Sequence, residues 1–168
     1  MAFRVGTHVV HPHHGVAVIE GRERREINGE THEYLVLRVE SEALALLIPT
    51  ASAQSLGIRQ LISEAEGIEI LEVLARPARM PKSWARRFKN HTEKLRSGDL
   101  HEEIVVLRNL WVLSQQKTLS PGEQKMLKRV RDLVLPELVL VFGECRDDME
   151  QRLSILMEER STAHDLAS

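Results

Sequence analysis

The chain has a single cysteine, Cys145, so it has no internal disulfide and no second thiol for a zinc site. A lone cysteine of this kind reads as a small buried thiol. Long apolar runs are also missing. No uninterrupted stretch approaches the roughly 18 residues needed to span a bilayer, and Met1 to Gly6 lack the apolar core of a signal peptide. A cytoplasmic protein without membrane contact is expected. The sequence contains no G-x-G-x-x-G, no Walker loop, no H-E-x-x-H and no G-x-S-x-G. Its carboxylates fall at helix starts and on mixed helix surfaces, with no nucleophile beside a base. An enzyme is therefore not expected, and no catalytic residue, cofactor or metal is nominated.

Excess charge is scarce as well. A net charge of −2 over 168 residues excludes a generally basic nucleic-acid binder but leaves room for a local patch. One stretch supplies it. Between residues 76 and 96, Arg76, Arg79, Lys82, Arg86, Arg87, Lys89, Lys94 and Arg96 stand against Glu93 alone, a net of +7. Solvated helix faces mix both signs, so this asymmetry points to an anionic partner. Only two tryptophans occur, and one of them, Trp84, lies within this stretch. An aromatic flanked by cations is one way to grip a DNA distortion. Against that, Trp84, Phe88, His91 and Leu95 recur at helical spacing, and spacing alone favours the buried face of an amphipathic helix.

The first third reads as strands. Val5 to Val10 is a short strand candidate, and His11-Pro12-His13-His14-Gly15 marks a turn. Val16 to Ile19 is β-branched and apolar, with Glu20 to Glu26 continuing as an exposed arm. Asn28-Gly29 tolerates the positive φ angles of a type I′ hairpin turn, and His32 to Val39 is the return strand. Glu40-Ser41-Glu42 forms a second turn before Leu44 to Ile48. Short strands and tight turns predict a small, bent antiparallel sheet or partial barrel, with an edge open to another protein's strand. His8, His11, His13 and His14 do not converge in a strand and turn, so a partly buried turn is expected rather than a metal site.

From residue 61 the period becomes helical, giving an α+β chain with a β domain over 1–60 and an all-α domain of about five helices over 61–168. Ser63-Glu64-Ala65-Glu66 is a capping box, followed by an apolar face of Ile68, Leu71, Val73 and Leu74. Arg76 to Pro81 is a linker. A helix from about Ser83 to Arg96 stops at Ser97-Gly98. Asp99 starts the next, with Trp111 on its inward face. Ser120-Pro121-Gly122-Glu123 starts another, which Pro136 is expected to kink or split. The last spans about Asp147 to Glu159, turning Met149, Leu153, Leu156 and Met157 inward, and residues after Arg160 read as frayed.

The ordered residues resemble a known family. Phe3-Arg4-Val5-Gly6, Val9 to Gly15, Glu33-Tyr34-Leu35-Val36-Leu37, Ile48-Pro49, Trp84 to Lys89, Ser97-Gly98-Asp99, Leu110-Trp111 and Leu119 to Glu123 are similar, in that order, to the CarD/CdnL family of bacterial transcription regulators. The resemblance implies a Tudor-like N-terminal domain that binds the RNA polymerase β subunit, with Arg25, Ile27 and Leu47 at polymerase-facing positions. It also implies a helical domain that touches promoter DNA in the minor groove, largely without sequence preference. There Trp84 serves as a wedge at the upstream edge of the transcription bubble, with Arg86, Arg87, Lys89 and Lys125 holding phosphates. The implied outcome is a more stable open complex, produced by a monomer. This reverses the core reading of Trp84 that spacing favours. Three departures stand out. Leu47 replaces a basic residue common in the family, Gln124-Lys125 replaces a pair of cations, and His11 replaces an aromatic. They keep an alternative open: a free-standing, sequence-independent DNA-binding protein, or a divergent paralogue with another protein partner.

Overall fold

The computed structural model describes residues 3–165, with side chains through Glu159. The chain divides into two compact units, Met1–Leu61 and Ile62–Ser168.

The first unit is a bent five-stranded antiparallel sheet of β1 (His8–His11), β2 (Gly15–Ile27), β3 (Glu30–Val39), β4 (Leu44–Pro49) and β5 (Arg59–Gln60), in the order β4-β3-β2-β1-β5. The hairpin signal at Asn28-Gly29 is realised with φ of 55° and 81°, the doubly positive turn that matches strand twist. A bulge at Glu20 lets Ile19 face Leu37 while Gly21 faces Val36. The extra residue swaps the faces of β2, so Ile19 points into the core and the later odd-numbered residues point away from it. Phe3, Val9, Ala17, Ile19, Leu35, Leu37, Val39, Ile48, Ala53 and Ile58 form that core. The two residues of β5, which pair with Val9 and Val10, are too few to carry a period in sequence.

The second unit holds α1 (Glu64–Leu74), α2 (Trp84–Ser97), α3 (Leu100–Gln116), α4 (Pro121–Phe142) and α5 (Arg146–Asp165). Capping boxes form at Ser63/Glu66 and Ser120/Glu123, and the Asp99 side chain accepts from the Glu102 amide. Gly98 and Gly143 end α2 and α4 in the left-handed conformation. The core joins Ile70, Leu74, Ile104, Leu107, Leu110, Val130, Val134, Leu138, Met149 and Leu153.

Several expectations are corrected. The inward face of α1 is Gly67, Ile70, Leu71 and Leu74, and Ile68 is 49% exposed. Trp111 does face inward as expected, half-buried and packed against the core. Pro136 does not split α4, which runs unbroken for 22 residues; one missing N–H is tolerated where both sides of the proline are packed in the core. The next residue, Glu137, is buried and accepts the Ile62 amide at 3.0 Å. Cys145 is exposed, not buried, and its Sγ accepts the Asp148 amide at 3.4 Å at the start of α5. Helix α5 continues past Arg160 to Asp165, and the final three residues lie outside the described part.

Candidate nucleic-acid and protein interfaces

Helix α2 begins with Trp84 itself; Ser83 precedes it in an extended conformation and makes no side-chain capping bond. Its first turn carries no carboxylate, so the positive end of the helix dipole adds to the nearby cations instead of being neutralised. Lys82, Arg86 and Lys89 are exposed around it. The Lys89 side chain is 76% exposed, and its ion pair with Glu93 is long at 3.9 Å.

Trp84 is 50% exposed, which settles its place in the stripe. The residues that α2 buries are Arg87 and His91, with Phe88 and Leu95 partly buried beside them. Hydropathy could not give this face, because its two most buried members are polar. The indole ring stacks on Phe88 with centroids 5.2 Å apart and planes inclined by 23°. Its Nε1–H donates to Ser120 Oγ at 3.1 Å. Phe88 in turn sits against Gly122, where an added Cβ would come within 3.0 Å of the ring. The start of α4 therefore backs the start of α2. Lys125, on the second turn of α4, is exposed.

Arg87 is the exception among the expected phosphate contacts. It is 2% exposed. Its Nε and Nη2 lie 2.9 and 2.8 Å from Oε1 of Glu123, itself 1% exposed, and Nη1 donates to the Lys82 carbonyl at 3.1 Å. Its charge is spent inside the protein, so the expectation that it holds a phosphate is corrected. Burial alone raises the Glu123 pKa. Hydrogen bonds from the Ser120 amide, from Arg87 and from the Ser120 hydroxyl, with the Arg87 charge, outweigh it and hold the carboxyl below its ordinary value. His91, 1% exposed beside this pair, has its pKa lowered to about 4 by burial first and then by the Arg87 charge. One hint of the pair is local: Glu123 occupies the N3 position of a capping box, where a carboxylate is held at a helix start.

On the sheet, the register places Arg25, Ile27 and Leu47 on one face. Leu47 pairs with Val36, Val36 with Gly21, Arg25 with His32 and Ile27 with Glu30; the alternation of side chains then puts all of them opposite the core face of Leu35 and Leu37. Ile27 and Leu47 are 44% and 38% exposed on that face. Arg25 is exposed and donates to Glu23 on the same face at 2.8 Å. Strand β4, which carries Leu47, forms one edge of the sheet.

The histidine turn makes no ligand cluster; among the described residues no group of three or more His, Cys, Asp or Glu side chains is arranged to hold a metal. His14 pairs with Glu42 at 2.8 Å. The His11 ring centroid lies 4.8 Å from that of His14, and its pKa falls to about 4 through burial and then the His14 and His13 charges. Among the described residues no helix is long and apolar enough to cross a membrane.

The chain thus has two candidate surfaces, an exposed apolar-basic face on the bent β unit and a tryptophan among cations on the helical unit. Residues 3–62 match the family model described as the CarD-like/TRCF RID domain, and residues 53–154 match that of the CarD C-terminal domain. The chain belongs to the CarD-like family of transcription regulators. It is 28% identical over 142 residues to a Bacillus subtilis (strain 168) protein described as "Putative transcription factor YdeB", covering 84% of this chain and 93% of that one. A solution structure of the 72-residue N-terminal domain of Myxococcus xanthus CarD aligns at 24% identity with a TM-score of 0.30, covering 34% of this chain and 77% of that domain.

Proposed function

We propose that this protein binds the RNA polymerase β subunit through its sheet unit and stabilises the open promoter complex through its helical unit. In this reading Trp84 wedges into the minor groove at the upstream edge of the bubble. Arg86, Lys89 and Lys125 hold phosphates, while Arg87 does not. The observation that carries the reading is the exposed Trp84, stacked on Phe88 at a helix start surrounded by exposed cations. An inserted aromatic gains by stacking against a base step, and cations on either side repay part of the cost of unstacking. Family membership supports the same reading. The exposed face of Arg25, Ile27 and Leu47, with β4 at the sheet edge, is suited to a protein partner that adds a strand. The action is one of binding, carried out by a monomer in the bacterial cytoplasm, and requires no catalytic group or cofactor.

The test is the lifetime of open complexes formed by the host's own polymerase holoenzyme, with and without the protein. The wild type should lengthen it, and Trp84→Ala should lose most of that gain. A lifetime unchanged by the wild type, together with salt-sensitive DNA binding in the absence of polymerase, would instead identify a free-standing DNA-binding protein.

A further inference from the structure

A capping box satisfies the first amides of its own helix and needs no partner from another helix. The box at the start of α4 has two. Ser120 Oγ accepts the Trp84 indole N–H at 3.1 Å as well as the Glu123 amide at 3.3 Å, and its hydroxyl donates to Glu123 Oε2 at 2.9 Å. The other carboxylate oxygen receives Arg87, whose Nη1 donates to the Lys82 carbonyl, two residues before Trp84. The connection closes on itself: from the backbone leading into Trp84, through Arg87, Glu123 and Ser120, to the edge of the indole. Phe88 covers one side of the ring, and half of the residue remains open.

We infer that Ser120 is a positioning residue for Trp84, with Arg87 and Glu123 fixing Ser120 in turn, so that the indole is held half-exposed in one orientation before DNA arrives. The inference rests on the wedge reading of Trp84. A ring already held by its N–H and by Phe88 has little rotamer freedom left to lose on insertion, and preorganisation of this kind strengthens binding without adding a contact. The orientation is set from α4, across the helix pair from the ring it holds.

The experiment uses the full chain carrying Trp111→Phe, which leaves Trp84 as the sole tryptophan, since the sequence has two. Ser120→Gly removes the oxygen while keeping an accepted N-cap residue, and Ser120→Thr returns it. Three quantities are measured: the fluorescence anisotropy decay of Trp84, the melting temperature, and the open-complex lifetime with the host's polymerase. Ser120→Gly should introduce fast ring motion, shift melting by a few degrees at most, and cut the lifetime gain about two- to tenfold. Ser120→Thr should restore the anisotropy and the lifetime together. The inference is overturned if Ser120→Gly leaves the ring motion or the lifetime gain unchanged while Trp84→Ala abolishes that gain. If Trp84→Ala itself keeps the gain, the wedge reading has failed and the positioning role falls with it.

Discussion

Arg86 and Arg87 are chain neighbours with opposite surroundings: Arg86 is exposed, and Arg87 is buried with its Nε 2.9 Å from the Glu123 carboxylate. The two should separate cleanly on mutation. Arg87→Ala leaves the Glu123 charge buried without its partner, and breaking such a pair costs roughly 3–5 kcal/mol. Arg86→Ala touches nothing buried and should stay within about 0.5 kcal/mol of wild type. It should nevertheless weaken DNA binding and lower the salt slope by about 1. Denaturant unfolding and salt titrations of DNA binding measure the two effects. An Arg87→Ala protein as stable as wild type would contradict the buried pair.

Acid should destabilise the helical unit in two stages. His91 is neutral in the fold, with a pKa near 4 against an ordinary 6.5. Between those values the unfolded chain binds a proton that the folded one does not, so stability is complete above pH 6.5 and declines as pH falls toward 4. The loss is on the order of 2 kcal/mol by pH 5. Glu123, with its pKa held down, contributes stability that is present above the ordinary carboxylate value and is lost only as pH falls through its lower folded value. Unfolding midpoints from pH 7 to 4 should fall, and His91→Gln should flatten the upper part of that decline. Because His11 titrates in the sheet unit, the comparison with His91→Gln isolates the helical contribution. A variant with the wild-type slope would refute the assignment.

The elements that announce themselves by turn or cap chemistry were legible in the sequence. Asn28-Gly29, Ser63 with Glu66, Gly98 and Ser120 with Glu123 each act within a few residues of chain, and each lies where the local pattern put it. What stayed hidden depends on partners distant in sequence. The buried face of α2 is set by Glu123, 36 residues beyond Arg87, and by Asn109, whose amide lies 3.4 Å from His91 Nε2. An apolar-inward rule cannot find a face built from Arg and His. The same rule placed Trp84 in the core by spacing, and the resemblance to known regulators was needed to turn it outward.

Gly67 is an interior residue of α1, where Ala would ordinarily gain about 1 kcal/mol of helix propensity. Here a Cβ would stand 2.9 Å from Phe142 Cζ and 3.2 Å from Val141 Cγ1. The Phe142 ring would have to shift, and with it the Arg152 guanidinium that lies over it at 4.7 Å. Overpacking of this kind costs about 1–3 kcal/mol, so Gly67→Ala should be net destabilising by about 1 kcal/mol. In a Phe142→Leu background the same substitution should become neutral or stabilising. A double-mutant cycle by urea unfolding reads the coupling, and additive effects would show that the close approach is not what Gly67 provides.

In the proposed polymerase contact, Leu47 and Ile27 would set how strongly the sheet unit grips its partner. Both are exposed on the face away from the core, so changing either should leave unfolding within about 0.5 kcal/mol of wild type. Ile27→Asp places a charge where an apolar contact is proposed, and should weaken binding to the host's polymerase by about tenfold or more, at 1.4 kcal/mol per tenfold. Leu47→Arg tests the departure from the family's basic residue at this position. Against an acidic partner surface it should raise affinity and make it fall more steeply with salt, as long-range attraction is screened. If Leu47→Arg weakens binding instead, then Leu47 packs against an apolar surface, and the departure marks a partner that has changed with it. Both variants are measured against the same immobilised polymerase at two salt concentrations. Unchanged affinity in both would remove this face from the polymerase contact and leave the β4 edge as the place to look.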